Sequence, residues 1–467
     1  MSAVTAAVVI ILVASERPTE KGEDRVSLAR WCLWLVISLG LGARIIYAFV
    51  NSPLDKIYLD ALMEYNYAKA YPHANLFETF LASGYPLWLK LELALTGENR
   101  VAIGLITAFM SVCTPWIWYR WMREHFRVMQ LKDEELLSLI GLAILTWLPS
   151  WISIYSLFMP ECLLLPLVGL ALWLTSFSKR THRSWGYLAA AAVWSAAYLT
   201  KASMLAMACI QGVWLLKDLF ATSRGARAYW LSCACLGVLI SAYLFETTRV
   251  YSSTHTLNLF AGNTVLNSLS YHSGGEKLHG TISVTGDGGI IRRENFALHP
   301  PSLRPASAPF APLTAWHTER HGDVDVDVDY TRPAGHQFPK LALTPAQQAE
   351  YTFENAVFLI FGESWPDCGL DDLFHRLQVH ARWMWAPLLV LASVLAIKQR
   401  RKDLLTILCF APWLLFIFQQ VYITEGRFRK PLEGILIAEC IVLVYSEIRS
   451  SRNRAMPQPA GQPLQPI

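Results

Sequence analysis

Charged residues are scarce in this sequence: they make up 16% of its 467 residues, whereas hydrophobic residues make up 54%. The few basic residues form no continuous stripe but gather in short loops, so the net charge of +4 does not indicate a nucleic-acid partner. Length and composition alone leave open several soluble domains or one polytopic membrane domain. The distribution of the apolar residues along the chain decides between them.

Cysteines outside the apolar runs are also few. Of nine cysteines, only Cys368 lies clearly in a large polar loop, and Cys162 lies near the end of an apolar run. A disulfide framework is therefore not expected. The sequence also lacks the Cys and His spacing of a zinc site, and it shows no internal repeat.

Apolar runs near the 20 residues that cross a bilayer core as helix recur through most of the chain. They predict an all-α polytopic membrane protein with about ten transmembrane helices. The predicted spans are 28–50, 101–119, 136–155, 157–177, 185–199, 202–219, 229–247, 383–397, 404–423 and 432–445.

Basic residues follow every even-numbered span. The second is followed by Arg120 and Arg123, the fourth by Lys179 and Arg180, and the eighth by Lys398. Because positive charge is enriched in cytoplasmic loops, these ends are expected inside and the odd-numbered loops outside. The prediction is a multi-pass protein of the cytoplasmic membrane with both termini in the cytoplasm.

This topology divides the chain into five parts. The apolar run 3–14 is too short to span and lacks the basic start of a secretory signal, so 1–27 is predicted as a cytoplasmic extension. The remaining parts are spans 1–7 within 28–248, an extracytoplasmic region at 249–382, spans 8–10 within 383–447 and a disordered cytoplasmic tail at 448–467.

Two predicted outer loops are too long to be simple connectors. The first, 51–100, contains two helix-like stretches, at 59–71 and 85–95, that could lie along the membrane surface. The second, 249–382, is rich in Gly, Pro, Ser and His and is expected to mix turns and strands. Its alternating stretch 324–330 is strand-like, with aspartates that could bind a cation but are better explained as a solvated face.

Two other parts of the second loop are weaker candidates for function. His317 and His321 could ligate a metal from one helical face, but no third ligand is evident in the sequence. The Gly-Asn segment 258–264 could cover a sugar pocket, and a simple turn explains it equally well.

Short motifs at the outer ends of the spans carry the functional argument. The first loop reads Asp55, then Asp60-Ala61-Leu62-Met63-Glu64-Tyr65, then Gly84-Tyr85-Pro86-Leu87. Later come Met159-Pro160-Glu161, Leu199-Thr200-Lys201 and Glu425-Gly426-Arg427-Phe428-Arg429-Lys430-Pro431. In order and sidedness these segments resemble the glycosyltransferase C superfamily, the polytopic enzymes that use polyprenyl- or dolichyl-phosphate sugars. The protein O-mannosyltransferases and the aminoarabinose and arabinosyl transferases belong to it.

The resemblance implies that Asp60 is the general base on the acceptor hydroxyl and that the anomeric centre is inverted, with Asp55 as the reserve candidate. Glu64, one helical turn from Asp60, could raise its pKa or help to hold a divalent cation. Tyr65 and Tyr85 are expected to contact substrate. The acceptor could be a glycan, a lipid or a protein. The simpler interpretation of these acidic residues is that they are solvated side chains of an aqueous loop.

Several basic residues lie at the predicted outer ends of helices, whereas positive charge is usually enriched on the cytoplasmic side. A polyprenyl phosphate explains them, because Arg grips phosphate oxygens in pairs and Lys acts as a point charge. Lys201, Arg427, Arg429 and Lys430 are therefore predicted to bind the donor phosphate, and Glu161 is predicted to belong to the same site because a buried carboxylate needs a partner. Snorkelling to lipid headgroups is the alternative for the basic residues. Pro160 replaces the Ser or Thr of the family, and Lys201 replaces its Arg.

Two further functions stay open from the sequence. A transporter or flippase of lipid-linked saccharides would have the same hydropathy, but it would be expected to place charges at mid-membrane depth and often to repeat its halves. A non-catalytic protein of an envelope-assembly complex would keep the fold and lose the activity.

Overall fold

The structure is a computed structural model that describes residues 20–57, 59–72, 81–222, 226–254, 277–284, 290–296, 322–329, 373–418 and 426–455, with short pieces between 349 and 361. Most of the described chain is helical. Residues 1–19, the Gly-Asn segment 258–264, His317, His321 and residues 456–467 lie outside the described residues. Within the predicted extension 1–27 and the predicted disordered tail 448–467, residues 20–27 and 448–455 are helical.

The helices follow the predicted apolar runs. In chain order they are α1 (Glu20–Val50), α2 (Leu59–Ala70), α3 (Gly84–Thr96), α4 (Arg100–Val128), α5 (Glu134–Thr146), α6 (Pro149–Ser153), α7 (Glu161–Thr181), α8 (Trp185–Thr200), α9 (Leu205–Thr222), α10 (Ala226–Thr254), α11 (Leu373–Ala381), α12 (Trp385–Lys398), α13 (Leu404–Phe418) and α14 (Lys430–Ala455). Short 3₁₀ turns cover Pro53–Lys56, Ile154–Ser156, Ala202–Met204, Arg382–Met384 and Gly426–Arg429.

In the region after α10 the described residues form three strands, β1 (Lys277–Val284), β2 (Ile290–Phe296) and β3 (Gly322–Asp329). They form one antiparallel sheet in the order β2-β1-β3. The alternating Val-Asp stretch of the sequence thus lies in β3, paired along β1 from Lys277 opposite Asp329 to Val284 opposite Gly322.

Five described helices are long and apolar enough to cross a membrane, which makes the chain a membrane-embedded protein. They cover Leu28–Val50, Arg100–Val128, Glu161–Thr181, Ala202–Ala221 and Ala226–Arg249. The pair Glu134–Thr146 and Pro149–Ser156 adds a sixth if the two halves count as one broken span. The predicted number of about ten is therefore not reached in the part of the chain that the structure describes.

The shortfall has a physical reason. The predicted spans at α8 and α12 form helices of 16 and 14 residues, and 16 residues rise only about 24 Å, against about 30 Å of bilayer core. The predicted span 404–423 is described only as far as Phe418, where α13 ends. The helix α14 is long enough, but its charged residues lower its mean hydropathy. The helices exist where the sequence predicts them, and what differs is their length and polarity.

The predicted span 136–155 is broken where Leu148 precedes Pro149, and its halves are bent by 62°. A residue before proline avoids the helical conformation, and proline donates no backbone hydrogen bond. The break leaves the carbonyl oxygens at the end of α5 without helical donors, which is costly in an apolar environment.

Arg44 of α1 supplies the missing donors. Its fully buried guanidinium donates to the carbonyl oxygens of Leu145 at 2.7 Å, Thr146 at 2.8 Å and Trp151 at 3.0 Å. It also donates to the Ser111 carbonyl at 2.9 Å, which has no helical donor because Pro115 stands four residues later in α4. One side chain thus satisfies backbone oxygens from α4, α5 and α6.

Aromatic side chains fill the centre of the bundle. The indole of Trp118 makes edge contacts with Trp121 and Trp151, with ring centroids 5.3 and 5.2 Å apart. Gly434 of α14 packs directly on this ring, and a Cβ at Gly434 would lie only 2.5 Å from it. The indole nitrogen donates to the Leu165 carbonyl at 2.9 Å, so this large side chain joins α4 to α7.

Ion pairs and hydrogen bonds define two opposite ends of the bundle. At one end α4 meets α7 through Glu124 and Arg180, and α7 meets α9 through Lys179 and Asp218 at 3.1 Å. We name this the basic end, because the basic residues that follow the even-numbered predicted spans lie there. The opposite end, where α7 begins and α8 ends, we name the site end.

Replacing Arg44 by Met should leave the Ser111, Leu145, Thr146 and Trp151 carbonyl oxygens without this donor. Because each unsatisfied buried group costs about 1–3 kcal/mol, the loss should be at least about 3 kcal/mol. The measurement is thermal unfolding of the purified protein in detergent. Arg100→Met, which removes an exposed arginine, is the control and should change the midpoint little; equal midpoints for both variants would contradict the role of Arg44.

Candidate functional site

A buried ion pair lies at the site end. Glu161 is the first residue of α7, and Lys201 caps the carboxyl end of α8. The Lys201 ammonium donates to the Glu161 carboxylate, whose side chain is fully buried, while that of Lys201 is 13% exposed. The two helices are antiparallel neighbours joined by three residues, so their sequence brings these two ends together.

The turn before α14 adds further positive charge. The Lys201 ammonium lies 4.4 Å from the centre of the Phe428 ring, a cation–π contact. Arg427 is half-buried and Lys430 is buried, and both are within electrostatic range of the Glu161 carboxylate. One cation therefore contacts this carboxylate, and two more lie within its electrostatic range.

Arg429, which the sequence predicts as a phosphate ligand, is engaged with protein groups. Its guanidinium donates to Glu433 at 3.1 Å and to the carbonyl oxygens of Leu359 and Ile360 at 3.1 and 3.3 Å. Glu433 in turn accepts a hydrogen bond from Ser150 of α6 at 2.7 Å. These contacts hold the turn 426–429 against α6, and they leave Arg427 and Lys430 as the cations nearer to Glu161.

The Gly84-Tyr85 opening of α3 packs on the same place. A Cβ on Gly84 would lie 2.8 Å from the Leu199 backbone and 2.9 Å from the Thr200 nitrogen, so only glycine allows this approach. Tyr85 is buried, and burial raises the pKa of its phenol well above the usual range, with Glu161 among the charges around it. Two motifs that are more than 100 residues apart in sequence thus lie side by side next to Glu161.

The helix α2 carries the predicted catalytic carboxylate. Asp60 is its second residue, and the side chain of Asp60 lies outside the described residues. Glu64 is buried one turn later. The Tyr65 ring stacks on Phe158 at a centroid distance of 5.9 Å, and its hydroxyl donates to Glu98 at 2.7 Å. Since Phe158 precedes Glu161 by three residues, Tyr65 connects α2 to the start of α7.

Asp55, the reserve candidate, is bound by Arg100. The two side chains form a two-point ion pair, with nitrogen-to-oxygen distances of 2.7 and 3.1 Å. Both side chains are about half exposed, and the pair ties the 3₁₀ turn after α1 to the start of α4. Use of Asp55 as a base would require this pair to open.

Sequence reasoning missed Glu92, a carboxylate on the buried face of α3. Burial raises its pKa to about 7. A signal was present, since Tyr85, Leu89, Glu92 and Thr96 are spaced as one helical face and the other three are buried with it. Glu92 lies within electrostatic range of Tyr85 and Cys162, close to the ion pair described above.

A second network that the sequence did not reveal ties the first loop to α10. The Arg249 guanidinium donates to Glu246 at 2.5 Å, to the Tyr67 hydroxyl at 3.1 Å and to the Leu81 carbonyl at 2.8 Å. Ser83 donates to Glu246 at 2.8 Å. The spacing of Glu246 and Arg249 at the end of an apolar run indicated an ion pair, but its distant partners could not be read from it.

A divalent cation was predicted only as an option. Among the side chains that the structure describes, no group of three His, Cys, Asp or Glu residues is arranged to hold a metal ion. The Asp60 side chain and the side chains of the sheet are outside that set.

No protein-family model matches the sequence, and no curated protein matches it either.

Replacing Glu92 by Gln should change how stability depends on pH. Because the folded-state pKa of Glu92 is raised from 4.5 to about 7, the folded state binds the proton more tightly. Glu92 therefore costs no stability below about pH 4.5 and up to about 3 kcal/mol above pH 7. Thermal unfolding measured from pH 5 to pH 8 should show the wild type losing stability relative to Glu92→Gln as pH rises. Parallel curves would contradict the burial of a titrating carboxyl.

Proposed function

We propose that this chain is a membrane glycosyltransferase that moves a sugar from a polyprenyl-phosphate donor to a hydroxyl of an acceptor. The observation that carries the proposal is the meeting of separate motifs at the site end. Gly84-Tyr85, Glu161, Lys201 and the turn 426–429 lie within contact or electrostatic range of one another. Sequences resembling the glycosyltransferase C superfamily at each of these points support the same function.

The charge at this place suits a lipid phosphate. Arg429 pairs with Glu433, and three further cations, Lys201, Arg427 and Lys430, lie within electrostatic range of the Glu161 carboxylate. A phosphate monoester near neutral pH carries nearly two negative charges. Positioned cations stabilise the charge that develops on a departing phosphate, which lowers the barrier to transfer.

The orientation follows from the basic end. Positive charge is retained on the cytoplasmic side, so the basic end is cytoplasmic and the site end faces outward. If α8, α12, α13, α14 and the broken pair each complete a pass, ten passes result and both termini are cytoplasmic. The enzyme then works on the outer face of the cytoplasmic membrane, where its acceptor is a glycan, a lipid or a protein.

Asp60 is the general base in this proposal. Its carboxylate takes the proton of the acceptor hydroxyl while the oxygen attacks the anomeric carbon, and the bond from that carbon to the phosphate oxygen breaks. Attack opposite to the departing phosphate inverts the anomeric centre. Asp60 lies in the first turn of α2, and the next turns of this helix contact Phe158 through Tyr65 and Arg249 through Tyr67.

Replacing Asp60 by Asn should lower the transfer rate by about 10²–10⁴, the usual contribution of a general base. The measurement is transfer from purified polyprenyl-phosphate sugars to an extract of envelope acceptors, followed by mass spectrometry of the products. Protein level and unfolding midpoint should not change. Asp133→Asn, which removes a carboxylate bound by Tyr445 at the basic end, is the control and should keep the wild-type rate.

Other results would redirect the proposal. Loss of transfer in Asp55→Asn with full activity in Asp60→Asn would move the base to Asp55. Absence of transfer with every donor, together with saccharide-lipid translocation by the protein in vesicles, would instead favour a transporter. One observation favours this second function. Glu439 of α14 is a buried carboxylate that accepts a hydrogen bond from Thr406 of α13 at 2.7 Å, and ionisable groups inside a membrane bundle are typical of transport pathways.

A further inference from the structure

The Glu161 carboxylate at the site end lies within electrostatic range of three cations. One oxygen accepts from Lys201, and the other has no hydrogen-bond partner among the described residues. The side chain is fully buried. A buried carboxylate with an unused oxygen is costly, and its stability here depends on the cations that face it.

Several elements surround this carboxylate with titratable or charged groups. The end of α8 contributes the cation that pairs with it, and the turn before α14 and the start of α14 contribute two more. The helices α3 and α7 contribute neutral groups. The groups within electrostatic range of Glu161 are Lys201, Arg427, Lys430, Tyr85 and Cys162. Glu92 and Tyr155 lie further out, within range of Cys162.

Phosphate and Glu161 require the same partner. A phosphate that reaches Arg427 and Lys430 also meets the Lys201 ammonium, which Glu161 already holds. Lys201 has three donors on a flexible stem, and its contact with the Phe428 ring keeps the ammonium near the turn when it changes anion. When Lys201 turns to the phosphate, Glu161 is left buried with less compensating charge. A carboxylate in that position takes up a proton.

We propose that Glu161 and a lipid phosphate compete for Lys201, so that Glu161 weakens binding of the phosphate and gains a proton from solvent when the phosphate binds. This inference rests on the proposed function only in naming a lipid phosphate as the ligand. In a transfer reaction it would have a clear use. The leaving lipid phosphate carries more negative charge than the donor, and an internal competitor keeps that product from binding too tightly.

The experiment measures binding without any transfer. Farnesyl phosphate, a short isoprenyl phosphate, is titrated into the purified full-length protein in detergent by isothermal calorimetry. Glu161→Gln should bind the probe about tenfold more tightly than the wild type, because the competitor is neutral. Wild-type affinity should fall as pH rises above about 7.5, where the phosphate itself is already a dianion, and should level off once pH exceeds the pKa that Glu161 has in the complex. The affinity of Glu161→Gln should not change over this range.

A matched control separates this effect from loss of any buried carboxylate. Glu124→Gln removes an equally buried carboxylate that pairs with Arg180 at the basic end. It should bind the probe with wild-type affinity and with the wild-type dependence on pH. A gain in affinity in this control would overturn the assignment to Glu161.

The double variant Glu161→Gln/Lys201→Gln keeps the test valid if the single variant does not fold. It removes the competitor and the contested cation together, so no buried ion is left unpaired. It should bind more weakly than the wild type and show no dependence on pH above 7.5. Retention of the wild-type pH dependence in this variant would contradict proton uptake by Glu161.

The outcomes distinguish the inference from the proposed function. Tighter, pH-independent binding in Glu161→Gln supports the inference even if no sugar is ever transferred. Unchanged or weaker binding in Glu161→Gln overturns it even if Asp60-dependent transfer is found. Absence of probe binding in the wild type, or equal binding of farnesol, overturns it as well, because the phosphate is then not what the protein recognises.

Discussion

The bundle depends on the hydrogen bonds that the Arg44 guanidinium donates to backbone carbonyl oxygens. A membrane interior offers no water to backbone carbonyl oxygens, so a break in a helix is tolerated only where other groups donate to them. The bundle has such a break between α5 and α6 and a proline in α4. Arg44 covers the exposed oxygens of all three helices, and the cost of burying its charge is offset by that complete set of acceptors.

The position of the candidate site follows from this break. Because α6 turns away from the axis of α5, Ser150 reaches Glu433, and the Trp151 indole donates to the Lys430 carbonyl at 3.2 Å. These bonds place the turn 426–429 against α6, with Phe428 beside Lys201. If 136–155 were one straight helix, Ser150 and Trp151 would not be positioned to contact the segment around the turn 426–429. The cations near Glu161 are thus arranged by a backbone feature that binds no ligand itself.

The sequence predicted the positions of the helices, because apolar runs report burial in lipid and protein alike; the first span, 28–50, matches the apolar part of α1, which begins eight residues earlier at Glu20. It could not predict the break, since hydropathy averages over Leu148-Pro149. Their shared side of the membrane predicted that Glu161, Lys201 and Arg427 belong together, and the structure places them within electrostatic range of one another. The sequence did not predict that Arg429 forms a buried ion pair with Glu433, although the two residues are one helical turn apart. The partners of Arg249 were beyond reach, because Tyr67 and Leu81 are more than 160 residues away.

The central claim is that the cations around Glu161 bind a lipid phosphate, and native mass spectrometry tests it most directly. Purified protein titrated with a polyprenyl phosphate should bind one molecule per chain, and the variant Lys201→Gln/Arg427→Gln should lose it. The variant Lys398→Gln/Arg401→Gln, which removes two cations at the basic end, should retain it. Equal occupancy in the two double variants would contradict the account, because the lipid would then be held by its chain or by cations elsewhere.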